Sequence, residues 1–328
     1  MSRRVFITGL TGFAGSHLAE HLVARGDEVH GLAHEDPPYP YLAAVARDVT
    51  VHRGDITRYD DLRAALGGAR PDVVVHLAGL AVPALAQRDP RSAVSVNVLG
   101  AATLIAVLAE HPGTPVVAAS SAHVYGTPDG APLTEDAPLR PQGVYAATKV
   151  AAEALFRELG AQGTHPVTIL RPANQLGPRQ HRALAASQFA RQIAEAEAGQ
   201  AEAVVRHGPL DAERDFIDVR DMAKAYAAAA ELGEAATYNV GSGRPVAIRV
   251  ILETLVGFAR VPIRTELDPA RGAAGRSRVA LDATRFRQKT GWSPRIGLEE
   301  SLRDTLDFWR AAIHELAGAG GRRPPTIA

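Results

Sequence analysis

No cysteine occurs in the 328 residues, which excludes a disulfide framework and a thiolate metal centre and leaves redox chemistry silent about compartment. Lysine is scarce: Lys149, Lys224 and Lys289 stand against a background of arginine. A GC-rich genome or heat tolerance explains that bias, and the scarcity makes each lysine easy to inspect. Acidic and basic residues balance to a formal net charge of zero, so the general basic field of a nucleic-acid-binding protein is missing. No charge-free apolar run is long enough to span a bilayer. The start of the chain, Ser2-Arg3-Arg4 followed by Val5-Phe6-Ile7 and glycines, lacks an export signal's apolar core and cleavage site; a cytoplasmic location is the default. The histidines are scattered at no ligand spacing, so no metal site is expected. With 46% apolar residues, the chain has the composition of a globular protein, and its length fits one large or two intimately joined domains.

Strand and helix signals alternate. Val5–Ile7, Glu28–Ala33, Val49–Arg53, Val73–Leu77, Val116–Ser120 and Val167–Leu170 read as strands. Helices are expected at His17–Arg25, Asp60–Leu66, Ala93–Glu110 and Tyr145–Leu159. This alternation predicts an α/β fold with a Rossmann-type doubly wound parallel sheet, covered by helices on both faces. Beyond Arg171-Pro172 the pattern loosens into a smaller C-terminal α/β substrate domain. Its expected helices are Leu184–Ala198, Val219–Glu231, Arg249–Ala259 and Leu298–Leu316, with strands at Ala203–Arg206 and Tyr238–Val240 and an Arg/Gly-rich loop at Pro269–Arg278. The dinucleotide domain is expected over 1–171, with a segment of about 215–240 returning to it, and the substrate domain over 172–214 and 241–317. The Gly/Arg/Pro tail beyond Gly318 reads as disordered. No internal repeat is visible.

Between the first strand and first helix, Thr8-Gly9-Leu10-Thr11-Gly12-Phe13-Ala14-Gly15 spaces its glycines three apart. Gly9 permits a tight turn, Gly12 allows close backbone approach to a pyrophosphate, and Gly15 lets the helix pack close with its N-terminus facing the phosphates. A glycine pattern alone is a weak signal, but a strand before it and a helix after it supply the required context. The second strand ends Leu32-Ala33-His34 with no carboxylate at the tip, although Glu35 and Asp36 follow. His34 there suits a 2′-phosphate, so NADP(H) is favoured, with NAD(H) the alternative. Asp55, after the third strand, suits an adenine amino group or serves as a capping aspartate.

Tyr145 and Lys149 lie four apart on an expected helix and so share a face. That spacing is expected to let an ammonium lower the phenol's pKa, so that Tyr145 exchanges a proton with a substrate oxygen near neutral pH. Lys149 also reaches for the nicotinamide ribose. Ser121, at the end of the fifth strand, is placed to hydrogen-bond the same substrate oxygen, since a doubly wound sheet receives its ligands at strand C-termini.

With these features assembled, the chain resembles the extended short-chain dehydrogenase/reductases, which include nucleotide-sugar epimerases, dehydratases and ketoreductases. The likeness is carried by the glycine turn, His76-Leu77-Ala78-Gly79, Asn97, Ser120-Ser121-Ala122-His123-Val124-Tyr125-Gly126 and Tyr145-Ala-Ala-Thr-Lys149, and it extends to about Arg310. Arg171-Pro172-Ala173-Asn174, Arg214-Asp215-Phe216, Asp218-Val219-Arg220-Asp221, Tyr238-Asn239-Val240 and Thr290-Gly291-Trp292 also fit. The resemblance implies cofactor contacts at Thr11, Phe13, Ile56, Leu77, Ala78, Asn97 and Arg171, beside those already named. Asn174–Pro178, Gln188–Ile193 and Asp268–Arg271 are most similar to the GDP-mannose branch, in particular its 4-keto-6-deoxymannose reductases. That likeness implies Asn174 on the sugar diphosphate, Arg214 on a phosphate, Arg191 near the base, and His123 and Arg271 at the substrate. A guanidinium fork and a side-chain amide suit a diphosphate. Members of the family commonly pair their long helices in a four-helix bundle, which implies a homodimer through Ala93–Glu110 and Tyr145–Leu159.

Family dehydratases place an acid at one or both positions after the serine; here they are Ala122 and His123, which demotes dehydration. Reduction of a nucleotide-linked 4-keto-6-deoxyhexose by NADPH is the leading expectation, and NAD-dependent 4-epimerisation of a nucleotide sugar the alternative. A non-catalytic dinucleotide sensor is a remote third, since such proteins lose the tyrosine or the lysine. After Asp268-Pro269-Ala270-Arg271 the GDP-mannose branch continues with an Arg-Pro pair and an acid. This chain has Gly272–Arg278 without a carboxylate, so the base stays open between guanine and the pyrimidines.

Overall fold

The computed structural model describes residues 2–127, 130, 132–271 and 277–318. Its first six strands are β1 (Arg4–Thr8), β2 (Glu28–Ala33), β3 (Val49–Arg53), β4 (Val73–His76), β5 (Val116–Ala119) and β6 (Val167–Pro172). They are linked by α1 (Phe13–Ala24), α2 (Tyr59–Ala69), α3 (Pro83–Arg88), α4 (Pro90–Val94), α5 (Gly100–Leu108) and α6 (Gly143–Ala161). After β6 come β7 (Asn174–Leu176), α7 (Ala185–Glu197), β8 (Val204–His207), β9 (Glu213–Asp218), α8 (Val219–Leu232), β10 (Ala236–Val240) and β11 (Pro245–Ala247). The last elements are α9 (Ile248–Gly257), β12 (Arg264–Leu267), β13 (Arg278–Val279), α10 (Thr284–Thr290) and α11 (Leu298–Gly318).

Strands β10-β6-β5-β4-β1-β2-β3 form one parallel sheet of seven. Burial on both faces explains why β4, Val-Val-Val-His, is continuously apolar rather than alternating. One face packs on α1 and α8 through Leu18, Leu22, Ala223 and Tyr226. The other packs on α2, α5 and α6 through Leu62, Leu66, Leu104 and Phe156. Each leucine contributes about 1.5–3 kcal/mol of burial free energy. The strand order reverses between β1 and β4, and a crevice for ligand opens at such a switch point. The segment from Val219 to Val240 adds α8 against α1 and β10 beside β6. The remaining strands build a small sheet, β11-β9-β13 with β7 on β9, and a β8–β12 pair, with a third core between α7, α9 and α11.

The structure departs from the sequence reading in specific places. Helix α1 begins at Phe13, not His17, because Gly12 is already its N-cap. The single helix expected at Ala93–Glu110 is interrupted by a π turn, Ser95–Leu99, which turns Asn97 into the interior. The stretch Pro90–Leu108, which carries Arg91, is long and apolar enough by length and composition alone to cross a membrane, and 44% of its 18-residue window is buried inside the fold. Strand β9 escaped notice because Glu-Arg-Asp-Phe-Ile-Asp lacks the apolar alternation of a half-buried strand. Of the loop expected at Pro269–Arg278, residues 272–276 lie outside the described residues, as does the tail from 319 to 328.

Candidate active site

The glycine turn lies where β1, β2 and β4 end together, with Thr8 beside Leu32 and His76. Gly9 has φ +74°, and a Cβ there meets Ala78 N at 2.9 Å. A Cβ on Gly15 falls 2.1 Å from the Gly9 carbonyl oxygen, so only glycine lets α1 approach this closely. Thr8 Oγ1 bonds His76 Nδ1 at 2.9 Å and accepts from Ala78 N at 3.1 Å, which ties β1 to the end of β4. The N-terminus of α1 has no side-chain cap and no acid in its first turn, so the amides opening α1 at Phe13 and Ala14 have no side-chain partner. An anion fits that cradle: amides, positive dipole and no intruding side chain. A dinucleotide's pyrophosphate meets these requirements, with Leu77 and Ala78 closing the far wall of the turn.

At the end of β2, His34 is 79% exposed with Nε2 3.9 Å from Asp55 Oδ2. Asp55 Oδ1 accepts from Thr57 N and Oγ1, each at 2.8 Å. Burial raises the Asp55 carboxyl, but these hydrogen bonds outweigh it and hold the group below its ordinary range. Ile56 is buried beside it. Sequence reasoning missed Arg53, which lies opposite Ala33 across β2–β3 and forms an ion pair with Asp36. A strand-terminal arginine is hard to single out in a chain this rich in arginine.

Ser121 and Lys149 are buried, Tyr145 half-buried. The Ser121 hydroxyl is in polar contact with the Tyr145 phenol; burial raises the phenol's pKa, Ser121 lowers it, and burial prevails. Lys149 Nζ donates to the Ala119 carbonyl at 2.9 Å, and burial brings its pKa down from 10.5 to about 8. This corrects the expectation that the ammonium depresses the phenol: in this structure Lys149 is held by β5, and Tyr145 stays protonated at neutral pH. A protonated phenol beside a serine hydroxyl has the chemistry of a proton donor to a carbonyl oxygen.

His123, Asn174 and Arg214 gather next to the tyrosine. The His123 ring meets Tyr145 edge-on, centroids 5.5 Å apart. Burial, then the charge of Arg214, lowers the pKa of His123, while a hydrogen bond to Asn174 raises it; the net direction is down, so the imidazole is neutral at pH 7. Arg214 spends Nη1 on the carbonyls of Glu213 and Ser277, at 2.8 and 3.0 Å. Among the described residues it has no carboxylate partner, which leaves its charge for an anion.

Of the other expected contacts, Asn97 lies beside Gly79 and Lys149, while Arg171 and Arg191 are engaged elsewhere in the fold. Arg171 is wholly buried, and its guanidinium is spent on Glu153, Tyr125 and the Glu135 carbonyl; it braces the fold. Asn97 is 2% exposed. Its amide is engaged by Leu80 N at 2.7 Å, Leu80 O at 3.3 Å and Thr148 Oγ1 at 2.9 Å, so it braces the β4 loop against α6. Arg191 pairs with Glu195 one turn along α7, at 3.2 Å. Arg271 ends a 3₁₀ turn at Pro269–Arg271, and its side chain lies outside the described residues. Two further residues went unseen: Tyr226, fully buried with its phenol influenced by Tyr145, and the buried carboxylate of Glu153. Both sit on helix faces that read as ordinary core.

A parallel sheet with a phosphate-binding glycine turn at its switch point and a Ser–Tyr–Lys cluster at its strand ends defines an NAD(P)-dependent oxidoreductase of the short-chain dehydrogenase type. Residues 5–241 match the NAD dependent epimerase/dehydratase family, and the chain belongs to that family. It is 36% identical over 321 residues to GDP-6-deoxy-D-mannose reductase of Pseudomonas aeruginosa, spanning 96% of this chain and 100% of that one. It is 31% identical to UDP-glucose 4-epimerase of Mycolicibacterium smegmatis, spanning 94% and 98% of the two chains. Among solved structures, RMD from Pseudomonas aeruginosa complexed with NADPH superposes with a TM-score of 0.81 at 33% identity, over 94% of this chain and 99% of that one. Thermus thermophilus UDP-glucose 4-epimerase complexed with NAD gives 0.83 at 30%, over 94% and 99%.

Proposed function

We propose that the protein reduces a nucleotide-linked 4-keto-6-deoxyhexose with NADPH, GDP-4-keto-6-deoxy-D-mannose being the first substrate to try. The observation that carries this is the phenol of Tyr145, kept protonated by burial and flanked by Ser121, with no carboxylate at Ala122 or His123 to promote dehydration. When bound, the nicotinamide supplies hydride to the C4 carbonyl. Ser121 holds the carbonyl oxygen in line, Tyr145 gives it a proton, and Lys149 holds positive charge behind the phenol. Arg214 and Asn174 take the diphosphate, and neutral His123 lines the wall between diphosphate and sugar. Gly9, Gly12 and Gly15 seat the cofactor's pyrophosphate, with His34 and Arg53 near the adenosine ribose.

Incubating purified protein with the 4-keto sugar and NADPH tests this: loss of reduced-nicotinamide absorbance and a 4-hydroxy product are expected. Absence of turnover, together with interconversion of UDP-glucose and UDP-galactose, favours the epimerase instead. That second reading has one observation on its side, the 31% identity to a UDP-glucose 4-epimerase. Assembly as a homodimer through α5 and α6 is supported by Val94 and Leu99, apolar yet 50% and 49% exposed beside those helices; sedimentation reads it directly.

A further inference from the structure

Three consecutive residues at the end of β5 each hold one residue of a single stripe on α6. The Ser121 hydroxyl meets Tyr145, the Ala119 carbonyl takes the Lys149 ammonium at 2.9 Å, and the Ser120 hydroxyl donates to Glu153 Oε2 at 2.7 Å. Tyr145, Lys149 and Glu153 follow at four-residue spacing and share one helix face. The first two carry the proposed chemistry and the third has none, yet it is a carboxylate only 3% exposed.

Its surroundings are built around that charge. Arg171 approaches with Nε at 3.1 Å and Nη2 at 2.5 Å, and Arg157 with Nη2 at 2.5 Å. The polar chain runs on from Arg171 Nη1 to the Tyr125 hydroxyl at 2.7 Å, from that hydroxyl to Asn239 Oδ1 at 2.7 Å, and from Asn239 Nδ2 to the Leu133 carbonyl at 2.8 Å. Burying an ion pair carries a desolvation cost that apolar side chains of similar volume avoid, so stability alone does not explain it; fixing geometry does. Van der Waals packing does not hold the strand end by itself, because a cavity of about 10 Å³, room for one water, is lined by Lys149, Ser120, Glu153, His76 and Asn97.

We infer that Glu153 is a positioning residue of the active site, anchoring Ser120 so that the two residues flanking it hold Tyr145 and Lys149 in register. Only the kinetic arm of its test rests on the proposed reduction. Ser120→Ala removes the link while leaving Glu153 paired to Arg171 and Arg157. Glu153→Asp keeps the charge but withdraws it from Ser120. Both are expected to lower kcat about tenfold or more, with KM within about twofold, the signature of misplaced reacting groups. The double variant is expected to lose no more than either single one, since both cut the same link. Ser120→Thr, which keeps the hydroxyl, is expected to behave as wild type.

A substrate-free arm uses Lys149, Lys224 and Lys289, the only lysines, whose labelled side chains give three resolvable NMR signals. In Ser120→Ala the Lys149 midpoint is expected to move down from about 8, because a displaced Ala119 carbonyl no longer favours the charged ammonium while its burial remains, with the melting temperature nearly unchanged. An unmoved Lys149 titration, additive losses in the double variant, or a Ser120→Thr protein as impaired as Ser120→Ala would overturn the inference. A wild type inactive on every 4-keto sugar counts against the proposed function alone, because the lysine titration is read without substrate.

Discussion

Lys149 donates to the Ala119 carbonyl at 2.9 Å, so its ammonium is tied to the end of β5. The sheet thus presents a fixed ammonium, and in the proposed reduction the tyrosine one turn earlier meets the substrate oxygen.

Replacing Tyr145 with phenylalanine removes one hydroxyl from a buried helix face and leaves the glycine cradle untouched. Turnover is expected to fall roughly a hundredfold to ten-thousandfold, the range for losing a general acid. NADPH affinity, read by quenching of nicotinamide fluorescence, is expected to stay within about twofold of wild type. Retained turnover would remove Tyr145 from the mechanism.

The depressed pKa of Lys149 gives a pH dependence with a definite sign. The proposed reduction needs Tyr145 protonated and Lys149 charged, so kcat/KM is expected to fall as pH rises through about 8. Lys149→Arg, whose charge does not titrate in this range, is expected to lose that limb of the profile.

The same shift works against folding. The native state releases the lysine proton near pH 8 while the unfolded chain keeps it to 10.5. The unfavourable contribution is therefore complete below pH 8 and disappears as pH rises toward 10.5. Its size is about 3 kcal/mol at most, from a 2.5-unit difference. Lys149→Met is expected to be more stable than wild type at pH 7, by urea denaturation, and to lose that advantage by pH 10. Equal stability of the two at both values would contradict the burial assigned to this ammonium.

Arg53 at the end of β3 pairs with Asp36 just beyond β2, beside the proposed ribose site. If Arg53 exchanges Asp36 for a 2′-phosphate, Arg53→Ala weakens NADPH by about 1.5–3 kcal/mol, the worth of a charge-assisted hydrogen bond, and leaves NADH nearly alone. Isothermal titration with both cofactors decides it; parallel losses would take Arg53 out of the ribose site.

Gly15→Ala places a methyl 2.1 Å from the Gly9 carbonyl oxygen, where only backbone movement gives relief. The variant is expected to lose about 1–3 kcal/mol of stability and to bind neither cofactor, and thermal melts with and without NADPH measure both effects.

The parallel sheet, the glycine turn and the Ser121–Tyr145–Lys149 cluster were legible because each leaves a local mark: a β-branched run such as Val73-Val74-Val75, glycines at fixed spacing, a tyrosine and lysine one helical turn apart. Boundaries were less so, since the start of α1 depends on how Gly12 folds rather than on any polar cap. The side-chain partners of Arg171 and Asn97 were not legible because the motif holds the residue type but not its direction; one guanidinium turns to Glu153 and one amide to Leu80 and Thr148. Glu153 was invisible for the opposite reason, a buried charge on a helix that looks polar enough to be exposed. The direction of the Tyr145 shift needed the position of Lys149 Nζ, which spacing along a helix does not supply.

The π turn at Ser95–Leu99 has a consequence for how this chain can change. Such a turn holds one residue more than an α turn, so the helix before it is rotated by roughly 100° relative to a regular continuation. Deleting Ser95 or Val96 is expected to restore an unbroken helix, swing Asn97 out of the interior, and leave Leu80 N and Thr148 Oγ1 without that partner. Length in this segment is thus as tightly specified as the identity of any side chain.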